Sequence, residues 1–273
     1  MYSMSLDYTL SMSAATNPPV IVAIQNGAAG PVNLVGKWLT EIGFEIRTIH
    51  AYTMQPLPQQ VAQLQKSIGD SPIAALIPLG GSIGALDDDR APWLPTERAL
   101  LRDAVLNDLP VLGICLGAQL LAVSLDGRLG KAPEPEIGLH EISISDASDP
   151  IFGSLKSDRA HPSIQWHQDM VTSLPSDAIT IASSSQCRNQ IYRVGSIHYG
   201  LQFHPEADPT IVGMWEKKAD EAYQRSERKT GIASEVAERM TDLEAVWKPA
   251  IKRWGAMVLD LLATRPRPQS QLQ

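Results

Sequence analysis

An α/β fold, with a mostly parallel central sheet flanked by helices, is what three features of this 273-residue sequence predict. Short apolar runs of strand length alternate with helix-length stretches through the first half. Those runs are apolar on both faces, as strands covered by helices on both sides must be. Beyond Gly138 the apolar residues alternate with polar ones, which predicts antiparallel strands added to the sheet.

The elements follow in order. Val20 to Ile24 is a buried-type strand, followed by a Gly/Ala-rich turn and a helix from about Pro31 to Ile42. Phe44 to Ile49 alternates and reads as a second strand, and Ile73 to Leu79 as a third that ends at Gly80-Gly81. A helix from about Glu97 sets Leu101, Ala104 and Val105 at helical spacing, and Val111 to Ile114 forms a fourth strand. In the second half Ile142 and Ile144 alternate with serines, and Ala178 to Ala182 repeats the pattern. Gln190 to Val194 and His198 to Phe203 flank Gly195-Ser196, the signal of a hairpin. Beyond about Pro209 a C-terminal helical segment is expected, with Trp247 and Trp254 seven apart on one face.

The expected organisation is a single α/β domain over residues 20–264, including those C-terminal helices. Residues 1–19, rich in Ser, Thr and Met and ending in Asn17-Pro18-Pro19, read as a flexible leader. Residues 265–273, opening Arg265-Pro266-Arg267-Pro268, have the composition of a disordered tail.

Charge and cysteine content exclude several classes of function. With 23 Lys plus Arg against 30 Asp plus Glu, the net charge of −7 argues against nucleic acid as a partner. No window approaches the ~18 apolar residues that a membrane span needs. Residues 1–19 hold no Lys or Arg and include Asp7, which makes a poor signal peptide. Cys115 and Cys187 are the only cysteines, too few for a disulfide framework. A cytoplasmic, reducing setting is expected, where a cysteine stays a free thiol.

One of these cysteines stands in a distinctive place. In Val111-Leu112-Gly113-Ile114-Cys115-Leu116-Gly117-Ala118-Gln119 an apolar strand runs through Gly-x-Cys-x-Gly into an apolar helix. Flanking glycines of this kind mark a nucleophile elbow, a tight strand-to-helix turn that exposes the reactive side chain. At the helix N-terminus the free N–H groups and the helix dipole favour a thiolate. The amide of Leu116 is placed to face a tetrahedral oxyanion. Further on, Gln202-Phe203-His204-Pro205-Glu206 ends a predicted strand. It supplies an imidazole and a carboxylate two residues apart, on one side of an extended chain. Acyl transfer through a thiol needs such a base and such an orienting carboxylate.

Gly-Ile-Cys-Leu-Gly-Ala-Gln followed some ninety residues later by Gln-Phe-His-Pro-Glu resembles the class I glutamine amidotransferase family. The likeness runs from about Ile73 to Glu206 and takes in Gly80-Gly81-Ser82, Ala91-Pro92-Trp93-Leu94, Glu136-Ile137-Gly138 and Trp166-His167-Gln168-Asp169. It implies a flavodoxin-like sheet and a Cys–His–Glu triad that cleaves the side-chain amide of glutamine through a γ-glutamyl thioester. Carried over by position, Cys115 is the nucleophile, His204 the general acid/base and Glu206 its orienting partner. The same likeness implies an oxyanion hole from Gly81 and Leu116, and substrate contacts from Gln119, Trp166, His167 and Asp169. It calls for no cofactor and no metal.

Other clusters carry less. Asp87-Asp88-Asp89 lacks neighbouring ligands and reads as a solvated loop. His140, His161 and His167 do not have a zinc spacing. Cys187 has no adjacent histidine and reads as structural. Gly27-Ala28-Ala29-Gly30 lacks the Lys-Ser/Thr of a phosphate loop. Three readings of function stay open. The chain is a stand-alone hydrolase of γ-glutamyl amides, N-substituted amine conjugates among them; or a glutaminase subunit passing ammonia to a separate synthase; or a non-catalytic binding module. With no recognisable synthase or ATP-binding segment in the chain, the first is the expectation.

Overall fold

The structure, a computed structural model, describes residues 17–156, 158–227 and 230–264. The expected leader lies outside these except for its last three residues, and the expected tail lies wholly outside them. The first half runs β1 (Val20–Gln25), α1 (Asn33–Thr40), β2 (Glu45–His50), α2 (Val61–Ile68), β3 (Ile73–Pro78), α3 (Leu94–Leu106), β4 (Leu112–Ile114) and α4 (Leu116–Ser124). The second half runs β5 (Arg128–Ile144), β6 (His161–Ser173), β7 (Ala178–Ser183), β8 (Ile191–Val194) and β9 (His198–Leu201). It closes with α5 (Pro209–Lys218), α6 (Glu221–Arg225) and α7 (Ile232–Thr264).

β1 pairs in parallel with both β2 and β3, giving the order β2-β1-β3. A single parallel bridge between Leu76 and Val111 joins β3 to β4. The order continues β4-β9-β8-β7-β5-β6, with β4 and β9 parallel and every later pair antiparallel. The α/β class and the change of strand direction in the second half are therefore as expected.

The period-2 alternation of β1 distributes its side chains between two cores. Ile21 and Ala23 join one apolar cluster, with Trp38 and Leu39 of α1 and Trp247, Ile251 and Trp254 of α7. Val20, Val22 and Ile24 join the other, with Leu100 and Leu101 of α3 and Leu120 and Leu121 of α4. A strand buried on both faces has to be apolar at every position, which is why these runs carry no polar alternation. Among the described residues no helix is long and apolar enough to cross a membrane.

Three differences from the sequence expectation have physical causes. α3 begins at Leu94, a turn before Glu97, because Pro95 occupies a first-turn position where no N–H is needed. α2 has no counterpart in the sequence reading, since Leu64 is its one fully buried side chain, with Val61 and Ile68 half-buried beside it and the other positions polar or small. The long antiparallel pair β5–β6 was foreseen only at Ile142 and Ile144. Pro133 and Pro135 interrupt the β5 sequence, and the register breaks between Lys131 and Glu136 at the same place.

Two glycines give a test of close packing. A methyl group on Gly117 would stand 1.9 Å from the Pro78 carbonyl oxygen, whereas one on Gly213 in α5 would meet Ala233 at an ordinary 3.8 Å. Gly117→Ala should cost about 3 kcal/mol or more by forcing the α4–β3 backbone contact apart. Gly213→Ala should stabilise by about 0.5–1 kcal/mol through helix propensity. Thermal unfolding of the two variants checks this, and equal melting temperatures would contradict the packing described.

Candidate active site

β4 and β9 lie side by side in parallel, with Gly113 opposite Gly200 and Ile114 opposite Leu201. Both therefore deliver the chain that follows them to the same edge, outside the carboxyl ends of parallel strands, where α/β sheets bind ligands. From β4 comes Cys115, in a left-handed conformation with φ 51° and ψ −109°. A non-glycine residue there carries about 1–3 kcal/mol of strain, which the surroundings must hold in place. The Cys115 N–H donates to the Leu201 carbonyl at 2.7 Å, and its own carbonyl accepts from the Gln119 N–H at 3.1 Å. Gly113 and Gly117 make room for the bend: a methyl on Gly113 would meet the Gly117 carbonyl oxygen at 2.6 Å.

From β9 comes His204. The sequence expectation set His204 and Glu206 on one side of the extended end of a strand running to Phe203, but β9 ends at Leu201 and the two residues bracket Pro205 in the turn beyond it. The turn, rather than strand periodicity, brings them together: His204 Nδ1 lies 2.7 Å from Glu206 Oε1, both groups buried. The His204 N–H donates to the Ile164 carbonyl of β6 at 2.8 Å, and the Trp215 ring of α5 lies 4.6 Å from the imidazole. Asn33 Nδ2 anchors the turn through the Glu206 carbonyl at 3.1 Å.

With Nδ1 engaged by the carboxylate, Nε2 is left for a reacting group. Cys115 is the neighbour on that side. A methyl built on Gly80 would lie 3.1 Å from His204 Cε1 and 3.6 Å from Cys115 Cβ, so ring and thiol-bearing carbon flank one glycine. Burial pulls the His204 pKa down, but the Glu206 carboxylate, and after it Cys115, outweigh burial and raise it to about 10. Such an arrangement can hold a thiolate beside an imidazolium and return the proton to a leaving group.

An open cleft of about 360 Å³ leads to Cys115, in the size range of small-molecule sites. Gly81, Leu116, Gln119, Trp166, His167 and Asp169 all line it together with Cys115, while His204 and Glu206 are not part of its lining. Among the described residues neither the Gly81 nor the Leu116 N–H donates to a protein acceptor. Behind Gly81, Asn26 donates to the Leu79 carbonyl at 3.2 Å and to Glu97 at 3.1 Å, and accepts from Trp93 Nε1 at 2.8 Å. Burial pushes Glu97 up to about 8, against the opposing pull of Asn26 and Arg98. Gln119 donates to the Asp169 carbonyl at 2.9 Å, and Trp166 stacks on Tyr223 of α6 while donating to Asp220.

Sequence reasoning gave no role to Gln202, whose amide nitrogen lies 3.8 Å from Cys115 Sγ, nor to Trp215 and Tyr223. Gln202 was readable as the residue that opens the His-Pro-Glu segment. The two aromatic residues carry no motif, and only the packing of α5 and α6 places them, Trp215 against His204 and Trp166, and Tyr223 against Trp166. Asp88 of the triple-aspartate run pairs with Arg98 at 2.7 Å, and Asp87 caps the Gly84 N–H. Among the described residues no group of three or more His, Cys, Asp or Glu is placed to hold a metal ion. Cys187 is wholly buried, and burial, with the Glu136 charge adding to it against an Asn189 backbone hydrogen bond, pushes its thiol up to about 12.

The family model of class I glutamine amidotransferases matches residues 53–215, more than half of the chain. The chain belongs to that family. Among curated relatives, a glutamine-hydrolysing GMP synthase subunit of Thermoplasma acidophilum is 37% identical over 110 residues, 39% of this chain and 52% of the relative. Its counterpart from Natronomonas pharaonis is 40% identical over 109 residues, again 39% of this chain and 57% of the relative. The chain thus spans a little over half the length of these relatives. The putative glutamine amidotransferase-like protein YfeJ of Salmonella typhimurium is 29% identical over 175 residues, 62% of this chain and 68% of that protein. A solved glutamine amidotransferase from Methylobacillus flagellatus superposes with a TM-score of 0.72 at 27% identity, over 87% of this chain and 94% of its own. One from Thermotoga maritima, at 21% identity and TM-score 0.74 over 88% and 99%, shares the fold.

The protonation of His204 is directly measurable in this amidotransferase domain. Its folded pKa of about 10 exceeds the ~6.5 of a free imidazole, so the folded state holds the extra proton between those values. The stability this pairing contributes is complete below the lower value and is lost as pH rises through the higher one. Histidine 15N NMR should find His204 doubly protonated at pH 8, and Glu206→Gln should move its titration to lower pH. An unchanged titration in that variant would contradict the role of the carboxylate.

Proposed function

We propose that the chain is a cysteine-dependent hydrolase of γ-glutamyl amides, working through a γ-glutamyl thioester on Cys115. The observation that carries this is one juxtaposition: a strained, left-handed Cys115 beside an imidazole that Glu206 holds at 2.7 Å. The Cys115 thiolate attacks the side-chain carbonyl carbon, forming a C–S bond, while the carbonyl oxygen takes the negative charge. The N–H groups of Gly81 and Leu116 stabilise that oxygen. As the tetrahedral intermediate collapses, His204 gives its proton to the departing nitrogen, which leaves as ammonia or an amine. A water molecule, deprotonated by His204, then attacks the thioester and releases glutamate and the thiolate. Glu206 keeps the ring oriented and its charge compensated throughout both half-reactions.

Gln119, Trp166, His167 and Asp169 form the wall against which the glutamyl half is placed. Ser82, Ile83, Asp87 and Arg90 on one side and Asp220 to Ala222 on the other border the rest of the cleft. This second part has room for a substituent on the amide nitrogen, which favours N-substituted γ-glutamyl amides as substrates beside glutamine. No cofactor enters this chemistry. We assign the work of residues 20–264 to one domain and to a reducing, cytoplasmic setting in which both cysteines stay free.

A second reading rests on the relatives named as GMP synthase subunits. In it the same half-reactions supply ammonia to a separate synthase. The two are separated by assaying the purified chain alone against L-glutamine and a panel of N-alkyl and N-aryl γ-glutamyl amides. The hydrolase reading predicts kcat/KM for at least one substituted amide about tenfold or more above that for glutamine. Negligible turnover of the whole panel until a synthase is added would overturn it in favour of the ammonia-supplying role. Tight binding without turnover under both conditions would leave only a binding module.

A further inference from the structure

A second carboxylate–imidazole pair stands at the cleft wall, His167 lining it and Glu136 outside the lining, and no proton of the reaction scheme above passes through it. Glu136 of β5 and His167 of β6 face each other directly in the antiparallel register. Both are buried, and Glu136 Oε2 stands 3.2 Å from His167 Nε2. Gln190 donates to the same carboxylate oxygen at 2.8 Å. The other imidazole nitrogen, Nδ1, lies 3.1 Å from the Asp169 carbonyl oxygen.

Proton counting follows from those partners. A carbonyl oxygen only accepts, so Nδ1 carries a proton. Glu136 Oε2 already accepts from Gln190 and faces Nε2 at 3.2 Å, a contact that becomes an ion pair when Nε2 carries a proton as well. Burial pushes Glu136 up, but His167, assisted by Ser184 and His140, outweighs it and holds the carboxyl below its usual range. The other titratable groups around the pair are His140 on β5, Asp169 on β6 and Cys187 in the loop after β7; Cys187, at about 12, stays a neutral thiol.

The pair is wired to the nucleophile. The Asp169 carbonyl that receives His167 Nδ1–H also receives Gln119 Nε2 at 2.9 Å. Gln119 Nε2 reaches Gln202 Oε1 at 3.3 Å, and Gln202 Nε2 reaches Cys115 Sγ at 3.8 Å. We propose that Glu136 and His167 are positioning residues, an ion pair that fixes the main chain at Asp169 and, through it, the Gln119 amide against which the substrate is bound. This rests on the γ-glutamyl hydrolase reading for the substrate, while the ionic state of the pair stands on its own geometry. The charge matters more than the shape. A neutral His167 protonated only at Nδ1 would keep its bond to the Asp169 carbonyl but turn a lone pair on Nε2 towards the Glu136 carboxylate, an unfavourable contact.

Two measurements test this. Histidine 15N NMR of the unaltered protein should find both His167 nitrogens protonated at neutral pH; a singly protonated ring would overturn the ion pair whether or not the enzyme reading is right. Glu136→Gln keeps the acceptor oxygen for Gln190 and removes the charge, so nothing then offsets burial of the imidazolium. Its KM for L-glutamine should rise on the order of tenfold at neutral pH, with kcat changed far less. A fall in kcat as large as the rise in KM would mark a general structural defect, and that result, or an unchanged KM, would overturn the positioning role. Absence of any glutamine turnover by the unaltered protein would count against the proposed function, with the NMR result still deciding the state of the pair.

Discussion

Everything at the candidate site depends on β9 lying parallel to β4. Because Ile114 stands opposite Leu201, the Leu201 carbonyl takes the Cys115 N–H at 2.7 Å and helps hold the backbone in its left-handed bend. The same register sets the chain beyond Leu201 close to the bend, so that the turn at Pro205 places His204 beside Cys115. The strain at Cys115 and the reach of His204 thus have one cause. Gly113, Gly117 and Gly80 are its consequences, since each stands where a side chain would push the backbone, the ring or the thiol apart.

Around this frame the protein places ionisable groups in similar burial and gives them different states. Glu97, fully buried with Asn26 as its hydrogen-bond partner, is pushed up to about 8 and keeps its proton at neutral pH. Glu136, equally buried but facing His167, is held below the usual carboxylate range. The difference is the imidazole that Glu136 faces, since in a poorly solvating interior the partner decides whether a group ionises. The two cysteines divide along similar lines. Cys115 sits at a helix N-terminus beside an imidazole, whereas Cys187 lies in a buried loop near a carboxylate and remains a thiol.

Much of this was legible in the residues. The fully apolar β1 and β3 report burial on both faces, and Gly-x-Cys-x-Gly reports a bend whose reason is steric and local. The length of β5 and β6 was hidden, because Pro133, Pro135 and Pro162 break the alternation that identifies a strand. The proximity of His204 to Glu206 was read correctly for the wrong geometric reason, a strand in place of a turn. Long-range pairings left no local trace: Glu136 against His167 and Trp215 against His204 are set by strand order and helix packing alone.

The central claim is that the sulfur of Cys115 becomes covalently bonded to the glutamyl group. Acid quenching during turnover of a γ-glutamyl amide, followed by intact-mass and peptide mass spectrometry, tests it most directly. The account predicts an adduct of one γ-glutamyl unit, removed by hydroxylamine and confined to the peptide that contains Cys115. Turnover with no adduct at Cys115, or an adduct on the peptide containing Cys187, would contradict it.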